Sequence, residues 1–293
     1  MEEKATATAM DFTGERFTPE CVREIWYEHW HRYAFARAFA RDRRVVDAAC
    51  GEGYGSALLA QAGAREVVGV DISAQAVEHA RKRYAGIGNL RFEQGDCTAL
   101  VLPDASCDLV VSFETLEHVA AQEALMAGFA RVLSADGVLM ISSPDKHAYS
   151  DVSGFRNEFH VRELYRDELL ALLAPHFAHV RLYGQKLLFQ SAIWSLSGES
   201  GRAETATANG DGTHVESGLQ YAPLYFIAIC SRQPLDGLPA LALFGDREES
   251  VYSHYNHEVR KNMAAGGRIA ELEADVAALQ AENDRLRKLG GSP

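Results

Sequence analysis

Three aspartates and one glycine turn carry the most specific chemical signal in this 293-residue chain. Asp47, Asp71 and Asp96 each stand at the end of a short apolar or mixed run, and Cys50-Gly51-Glu52-Gly53-Tyr54-Gly55 follows the first. Glycines after an apolar run bring backbone N–H groups against a ligand, because they carry no Cβ and tolerate positive φ. A dinucleotide turn spaces its glycines G-x-G-x-x-G, whereas here the third glycine comes one residue early and Ser56 stands in its place. Asp47 is unhelpful beside a pyrophosphate and useful beside an ammonium group. Asp71, 24 residues further on, is placed to accept both hydroxyls of a ribose, and Asp96 to take the exocyclic amine of an adenine. A ligand with an amine, a ribose and an adenine, and without phosphate, satisfies all three.

A second set of residues could act on a reaction partner. His118, Asp145 and His160 are candidate general bases, within the usual choice of His or a carboxylate. His31, Tyr33 and His147 are candidate substrate contacts, and Arg16 and Arg156 candidate partners for anionic groups. His29 and His31, two apart on a helix, point to different sides, and no His/Cys/Asp cluster has metal spacing; no metal is expected. Five widely spaced cysteines without C-x-x-C read as reduced thiols, and Cys50 as a small residue in a turn rather than a nucleophile.

The elements needed to position these residues follow from periodicity. Glu20–Arg41 is a helical pattern ahead of the first strand, placed to act as a cap or lid. Strands are expected at 43–49, 66–71, 90–94, 107–113 and 137–142, with helices opening at Ser56, after the N-cap Ser73, and at Ala121. Near-continuous apolar strands alternating with helices imply a parallel sheet covered on both faces, an α/β Rossmann-like fold. Beyond Pro144, residues 145–160 are polar and aromatic, Glu163–Leu173 is helical, and Ala178–Phe189 pairs with Leu224–Ser231 as a hairpin. Residues 197–218, rich in Gly, Ser and Thr, read as a mobile loop, and 233–267 as a linker. From Arg268, Ile269, Val276 and Asn283 fall at a positions and Leu272, Leu279 and Leu286 at d positions. That seam favours a parallel two-stranded coiled coil over 268–289, with Arg268 facing Glu273 and Glu282 facing Arg287 across two chains. A homodimer or another coiled-coil partner is expected.

Composition narrows the function classes. With 47% hydrophobic residues the chain can bury a full core, and no apolar run approaches a membrane span. Met1-Glu2-Glu3-Lys4 lacks a signal-peptide pattern, so a soluble, cytoplasmic protein is expected. A formal charge of −12 disfavours nucleic acid.

S-adenosylmethionine meets the ligand description above, and the motifs resemble class I S-adenosylmethionine-dependent methyltransferases of the small-molecule type 11 group. The matching pieces are Val45–Gly55, Gly69-Val70-Asp71-Ile72-Ser73, Gln94-Gly95-Asp96-Cys97, Phe113-Glu114-Thr115-Leu116-Glu117-His118-Val119 and Leu133–Leu139, over about residues 43–143. The resemblance implies a methyltransferase domain over 43–232, with a seven-stranded sheet whose last strand is antiparallel. It also implies S-adenosylmethionine held by Asp47, Cys50, Gly51 and Gly53 at the methionine end. Asp71 and Ile72 would flank the ribose and adenine, Asp96 and Cys97 the adenine, with Glu114 beneath the sulfonium. Gly14-Glu15-Arg16-Phe17 and Glu28–Ala34 resemble methyltransferases found with bacterial cell-surface polysaccharide genes, which implies O-methylation of a sugar or glycan-related acceptor. Other readings are methylation of a different small metabolite, a nucleotide-dependent oxidoreductase of similar architecture, and a non-catalytic assembly protein working through its coiled coil.

Overall fold

The computed structural model describes residues 24–197 and 203–290. They fall into two compact units, divided between Phe244 and Gly245. Arg16, the rest of the Gly14–Phe17 motif and Cys21 lie outside the described residues.

The first unit opens with α1 (Glu24–Ala36) and then alternates: β1 (Arg44–Ala48), α2 (Tyr54–Gln61), β2 (Glu66–Asp71), α3 (Ala74–Arg83), β3 (Leu90–Gln94), β4 (Cys107–Ser112), α4 (Gln122–Val132) and β5 (Leu133–Pro144). After α5 (Arg166–Leu173) and β6 (His179–Gln185) comes a short ribbon, β7 (Ala206–Ala208) with β8 (Val215–Ser217), and then β9 (Tyr225–Ser231). One seven-stranded sheet results, ordered β3-β2-β1-β4-β5-β9-β6, with β9 antiparallel to both its neighbours. The expected hairpin pairing of β6 with β9 is present.

Strand alternation sorts the core into two layers. Val45, Val67, Leu109 and Val111 face α1 and α2, packing with Tyr33, Ala36 and Leu59. Val46, Val68, Val110 and Leu139 face the other way, onto Leu125, Met126 and Phe129 of α4 and Leu169 and Leu173 of α5. Each such side chain contributes roughly 1.5–3 kcal/mol on full burial, so the two layers hold the sheet between the helices. Ser73 caps α3 as expected, its hydroxyl accepting from Ala76 N at 3.3 Å.

The sheet order sets the site. β1 lies between β2 and β4, so the chain leaves β1 toward one side and returns through β4 on the other. That divergence opens a crevice at the carboxyl ends of the strands. Two non-glycine residues adopt positive φ there, Ala49 after β1 (+61°) and Glu114 after β4 (+52°). Backbone in that region costs about 1–3 kcal/mol per residue and is tolerated where its surroundings impose it.

Three sequence expectations differ from the structure. Within the Gly- and Ser-rich stretch, β7 and β8 pair around Asn209-Gly210-Asp211-Gly212, where Asn209 Oδ1 accepts from His214 N at 2.9 Å. The turn residues supply the pairing that apolar residues do not. β5 begins at Leu133, directly at the end of α4, rather than at Gly137. In the second unit, α6 runs from Ser250 to Gly290 and so takes in part of the stretch read as linker. Among the described residues, no helix is long and apolar enough to cross a membrane.

Candidate active site

The glycine loop is held from below. Asp47, the fourth residue of β1, is wholly buried; Tyr33 Oη donates to its Oδ1 at 3.0 Å and Ser56 Oγ to its Oδ2 at 2.6 Å. Asp47 shares the face of Val45, toward α1 and α2, so its oxygens address those two hydroxyls rather than open space. Through these two bonds Asp47 fixes the start of the glycine loop. Cys50 is buried beside Val77, Ala80 and Phe92, and burial, reinforced by Asp47 and Asp71, pushes its thiol well up. It is an inert packing residue. Glu52 also turns inward, buried beside His79 (3.3 Å) and Arg83 (3.3 Å), with Tyr84 Oη donating to it at 3.1 Å. Gly53 sits at φ +91°, where a Cβ would come 2.6 Å from the Phe92 ring, so only glycine fits without displacement.

Asp47 carries a pH signature. Burial raises its carboxyl to about 6, against the hydrogen bonds from Ser56 and Tyr33 that favour the anion, with Asp71 adding to the rise. The folded protein thus holds a proton that the unfolded chain, at about 3.9, has released. Stability therefore falls as pH climbs from 4 to 6, by about 3 kcal/mol in total, and is flat above. Asp47→Asn mimics the protonated form, and its urea-melt stability should lack this slope. Equal slopes in the two proteins would contradict the assignment.

Asp71, Ile72, Asp96 and Cys97, expected around an adenosine, stand together at the carboxyl ends of β2 and β3. Asp71, at the end of β2, accepts from Gly51 N at 2.9 Å through Oδ2 and from Ser73 N at 2.9 Å through Oδ1. One carboxylate therefore ties the glycine loop to the start of α3. Ile72 beside it leaves 69% of its surface exposed, an apolar platform at the mouth of the crevice. Asp96 is exposed and accepts from Thr98 N (2.8 Å) and Thr98 Oγ1 (2.7 Å), which fixes the carboxylate at the end of β3. The Cys97 thiol is buried, and burial pushes it up to about 12.

Glu114 begins a polar floor beyond β4. Its backbone N donates to Ser142 Oγ at 2.9 Å, and that hydroxyl donates to Glu114 Oε1 at 2.7 Å. Arg32 of α1 reaches the same oxygen at 3.4 Å from full burial, donates from Nε to Gln185 Oε1 at 2.7 Å, and lies 4.5 Å from the Tyr225 ring centre. Arg32 lies in the Glu28–Ala34 motif but was not singled out in the sequence. Its cue was position alone, one residue before Tyr33.

Next to this floor the fold assembles Glu117, His118 and His160. Val161 N and Arg162 N both donate to the Glu117 carbonyl, at 2.8 and 3.1 Å, pinning the His160 segment against the turn after β4. His160 Nδ1 lies 2.5 Å from Glu163 Oε1, its Nε2 2.9 Å from Asn157 Nδ2, and its ring stacks on Tyr149. The His118 and His160 rings meet edge to face, 4.9 Å apart. Glu117 is buried, and burial with the neighbouring Glu114 charge raises its carboxyl well above the carboxylate range. Sequence spacing hid this group because His160 comes from a segment 42 residues after His118, brought back by the polar stretch after β5.

Other expected acceptor residues are elsewhere. Asp145 and His147 line a second cleft with Tyr165, Arg166 and Asp167. Asp145 is three residues beyond Ser142, an odd step that turns it away from Glu114 on an alternating strand. His31 stacks on Phe244 and lines a cleft of about 500 Å³ with Tyr27, Phe35 and Tyr183. Tyr33 is buried behind the glycine loop with its hydroxyl donating to Asp47, and so supports the loop. Arg156 is exposed and outside the Glu117–His118–His160 group.

Residues 46–141 match the family model Methyltransf_11, described as a methyltransferase domain. A Mycobacterium tuberculosis protein named as a probable S-adenosylmethionine-dependent methyltransferase, Rv3030, is 39% identical over 172 residues, covering 58% of this chain and 61% of its own. Phosphoethanolamine N-methyltransferase 1 of Arabidopsis thaliana is 34% identical over 101 residues, 34% of this chain and 21% of that protein. This chain thus spans about three-fifths of the mycobacterial relative and one-fifth of the plant one. The solved YcgJ protein from Bacillus subtilis shares the fold at a TM-score of 0.51 and 21% identity, over 70% of this chain and all of that one.

Proposed function

We infer that the chain is a class I S-adenosylmethionine-dependent methyltransferase, a reading supported by the family match over residues 46–141 and by the mycobacterial relative. The activity that follows is transfer of the sulfonium methyl to a small acceptor. The observation that carries this reading is the crevice itself, where Asp71, Ile72 and Asp96 line up on successive strand ends around a glycine loop tied to Asp71. The reaction is an in-line displacement at carbon, so the protein's share is to hold donor and acceptor in line and keep water out.

The acceptor is proposed to be a hydroxyl of a sugar or glycan-related molecule. His160, oriented by Glu163, would meet the hydroxyl with Nε2 in place of Asn157, beside the Tyr149 and Tyr225 rings. Isothermal titration with S-adenosylmethionine tests the cofactor half, and absence of binding, or tighter binding of NAD, would sink it. S-adenosylhomocysteine release measured against nucleotide sugars, glycan fragments and small metabolites tests the acceptor half. Turnover on amine metabolites alone would reassign it.

We further propose that α6 pairs with a second copy of this chain. Ile269, Leu272, Val276, Leu279 and Leu286 are all exposed on the single helix, in the a and d positions of a seam with Asn283. Glu282 pairs with Arg285 at 3.1 Å within its own helix, a surface contact weak enough to yield to Arg287 of a second copy. Removing residues 268–293 should turn a dimer into a monomer in sedimentation velocity while S-adenosylmethionine affinity stays unchanged. A full-length chain that sediments as a monomer at tens of micromolar, well above a dimer Kd of about 1 μM, would refute the pairing.

A further inference from the structure

We propose that Glu117, His118 and His160 bind one divalent first-row transition-metal ion beside the methyl-transfer crevice. One ligand atom from each residue lies within 4.8 Å of the others, with His118 Nε2 3.9 Å from Glu117 Oε1. A cation about 2.0–2.2 Å from each donor needs only small side-chain rotations to draw them in.

Two further observations point to a cation rather than a chance cluster. The first is the state of Glu117. Its side chain is 1% exposed, and neither carboxylate oxygen has a hydrogen-bond partner. A buried carboxyl whose oxygens lack hydrogen bonds is costly, and a metal ion that takes the place of its proton is one of the few groups that would satisfy both oxygens there. The second is the orientation of both imidazoles. His118 Nδ1 is 3.1 Å from the Phe159 carbonyl, which can only accept, so Nδ1 carries the proton. His160 Nδ1 likewise donates to the Glu163 carboxylate at 2.5 Å. Each ring is anchored through Nδ1 by a carbonyl or a carboxylate, as metal-bound histidines are, which makes Nε2 the nitrogen to turn toward a cation. Asn157 Nδ2, 2.9 Å from His160 Nε2, is the group that the cation displaces.

Two imidazoles and one carboxylate suit Mn²⁺, Fe²⁺, Co²⁺ or Zn²⁺ better than the all-oxygen preference of Mg²⁺ or Ca²⁺. Three protein ligands leave coordination positions open. Given the methyltransferase reading, on which only this step rests, an acceptor hydroxyl fills one of them. Coordination makes the hydroxyl more acidic, and its proton leaves to solvent. The oxygen then forms the new bond to the methyl carbon as the carbon–sulfur bond breaks, and S-adenosylhomocysteine departs as a neutral thioether. His160 serves in that case as a ligand, and the base described above is not required.

The test is direct binding. Chelator-treated full-length protein is titrated with MnCl₂, free Mn²⁺ being counted by electron paramagnetic resonance, and separately with CoCl₂, followed by visible absorption. One ion per chain is expected for each metal. Glu117→Gln and His118→Ala should each weaken binding at least tenfold, while His214→Ala, at an exposed pair with Glu216, leaves it unchanged. Circular dichroism accompanies each variant. Should Glu117→Gln not fold, the more exposed His118 ring carries the comparison. Absence of saturable binding, or binding that survives His118→Ala and Glu117→Gln, overturns the proposal. S-adenosylmethionine titrated into the same samples separates the two claims. Intact cofactor binding without the metal overturns the metal site alone, and metal binding without cofactor overturns the methyltransferase reading alone.

Discussion

Asp71→Ala should weaken S-adenosylmethionine binding about 100-fold in isothermal titration. In the proposed cofactor site the carboxylate at the end of β2 accepts from two ribose hydroxyls, and hydrogen bonds to a charged group contribute roughly 1.5–3 kcal/mol each. Losing about 3 kcal/mol corresponds to about 100-fold in Kd. The same carboxylate also holds Gly51 N and Ser73 N, so part of the loss comes from a loosened glycine loop. Asp71→Asn separates the parts, because it keeps an acceptor oxygen and the shape while removing the charge. It should fall between wild type and Asp71→Ala. An unchanged Kd for Asp71→Ala would remove the residue from the cofactor site.

The second large effect concerns folding. A Cβ on Gly55 would stand 2.0 Å from Tyr33 Cζ. Tyr33 has no ready escape: its hydroxyl is bonded to buried Asp47, and its ring meets Tyr54 and Phe113 edge to face, each at 5.1 Å. Overpacking of this kind costs about 1–3 kcal/mol and occasionally more, and the pinned ring puts Gly55→Ala at the upper end, about 3 kcal/mol. For a domain of this size that is a fall of about 6–12 °C in Tm. Tyr33→Ala in the same chain should recover part of the loss, and the double-mutant cycle measures how much. Additive single effects would show that the ring and the glycine do not meet.

The third glycine shows what was legible in the sequence and what was not. Its early placement argues against a dinucleotide turn, but its physical partner, Tyr33, comes from a helix whose packing no local pattern reveals. The alternating strands and helices of residues 43–144 were readable because buried parallel strands are near-continuously apolar and their helices begin at recognisable caps such as Ser73. The start of α6 was not, because residues 250–267 are largely polar between Val251, Tyr255, Val259 and Met263 and end in Gly266 and Gly267, which lower helix propensity. The placement of Asp71 and Asp96 at the crevice was legible since each follows an apolar or mixed strand pattern. The Glu117–His118–His160 group was only half legible. Two members adjoin in the chain, but the third is brought to them by backbone bonds to the Glu117 carbonyl, a contact that depends on the finished fold.

The position of β9 has a consequence for how the chain comes to be folded. β6 joins the sheet only through β9, whose partner residues lie later in the chain, from 52 positions at His179–Ser231 to 40 at Gln185–Tyr225. During synthesis β6 therefore emerges well before its place exists, and β5 remains an open edge until Ser231 has left the ribosome. Such an edge presents unpaired N–H and C=O groups to any neighbouring chain. Closing it is a late, long-range step whose loop entropy must be met before the pairing returns anything. The last strand to be made is thus the one that ends the nascent chain's exposure to aggregation.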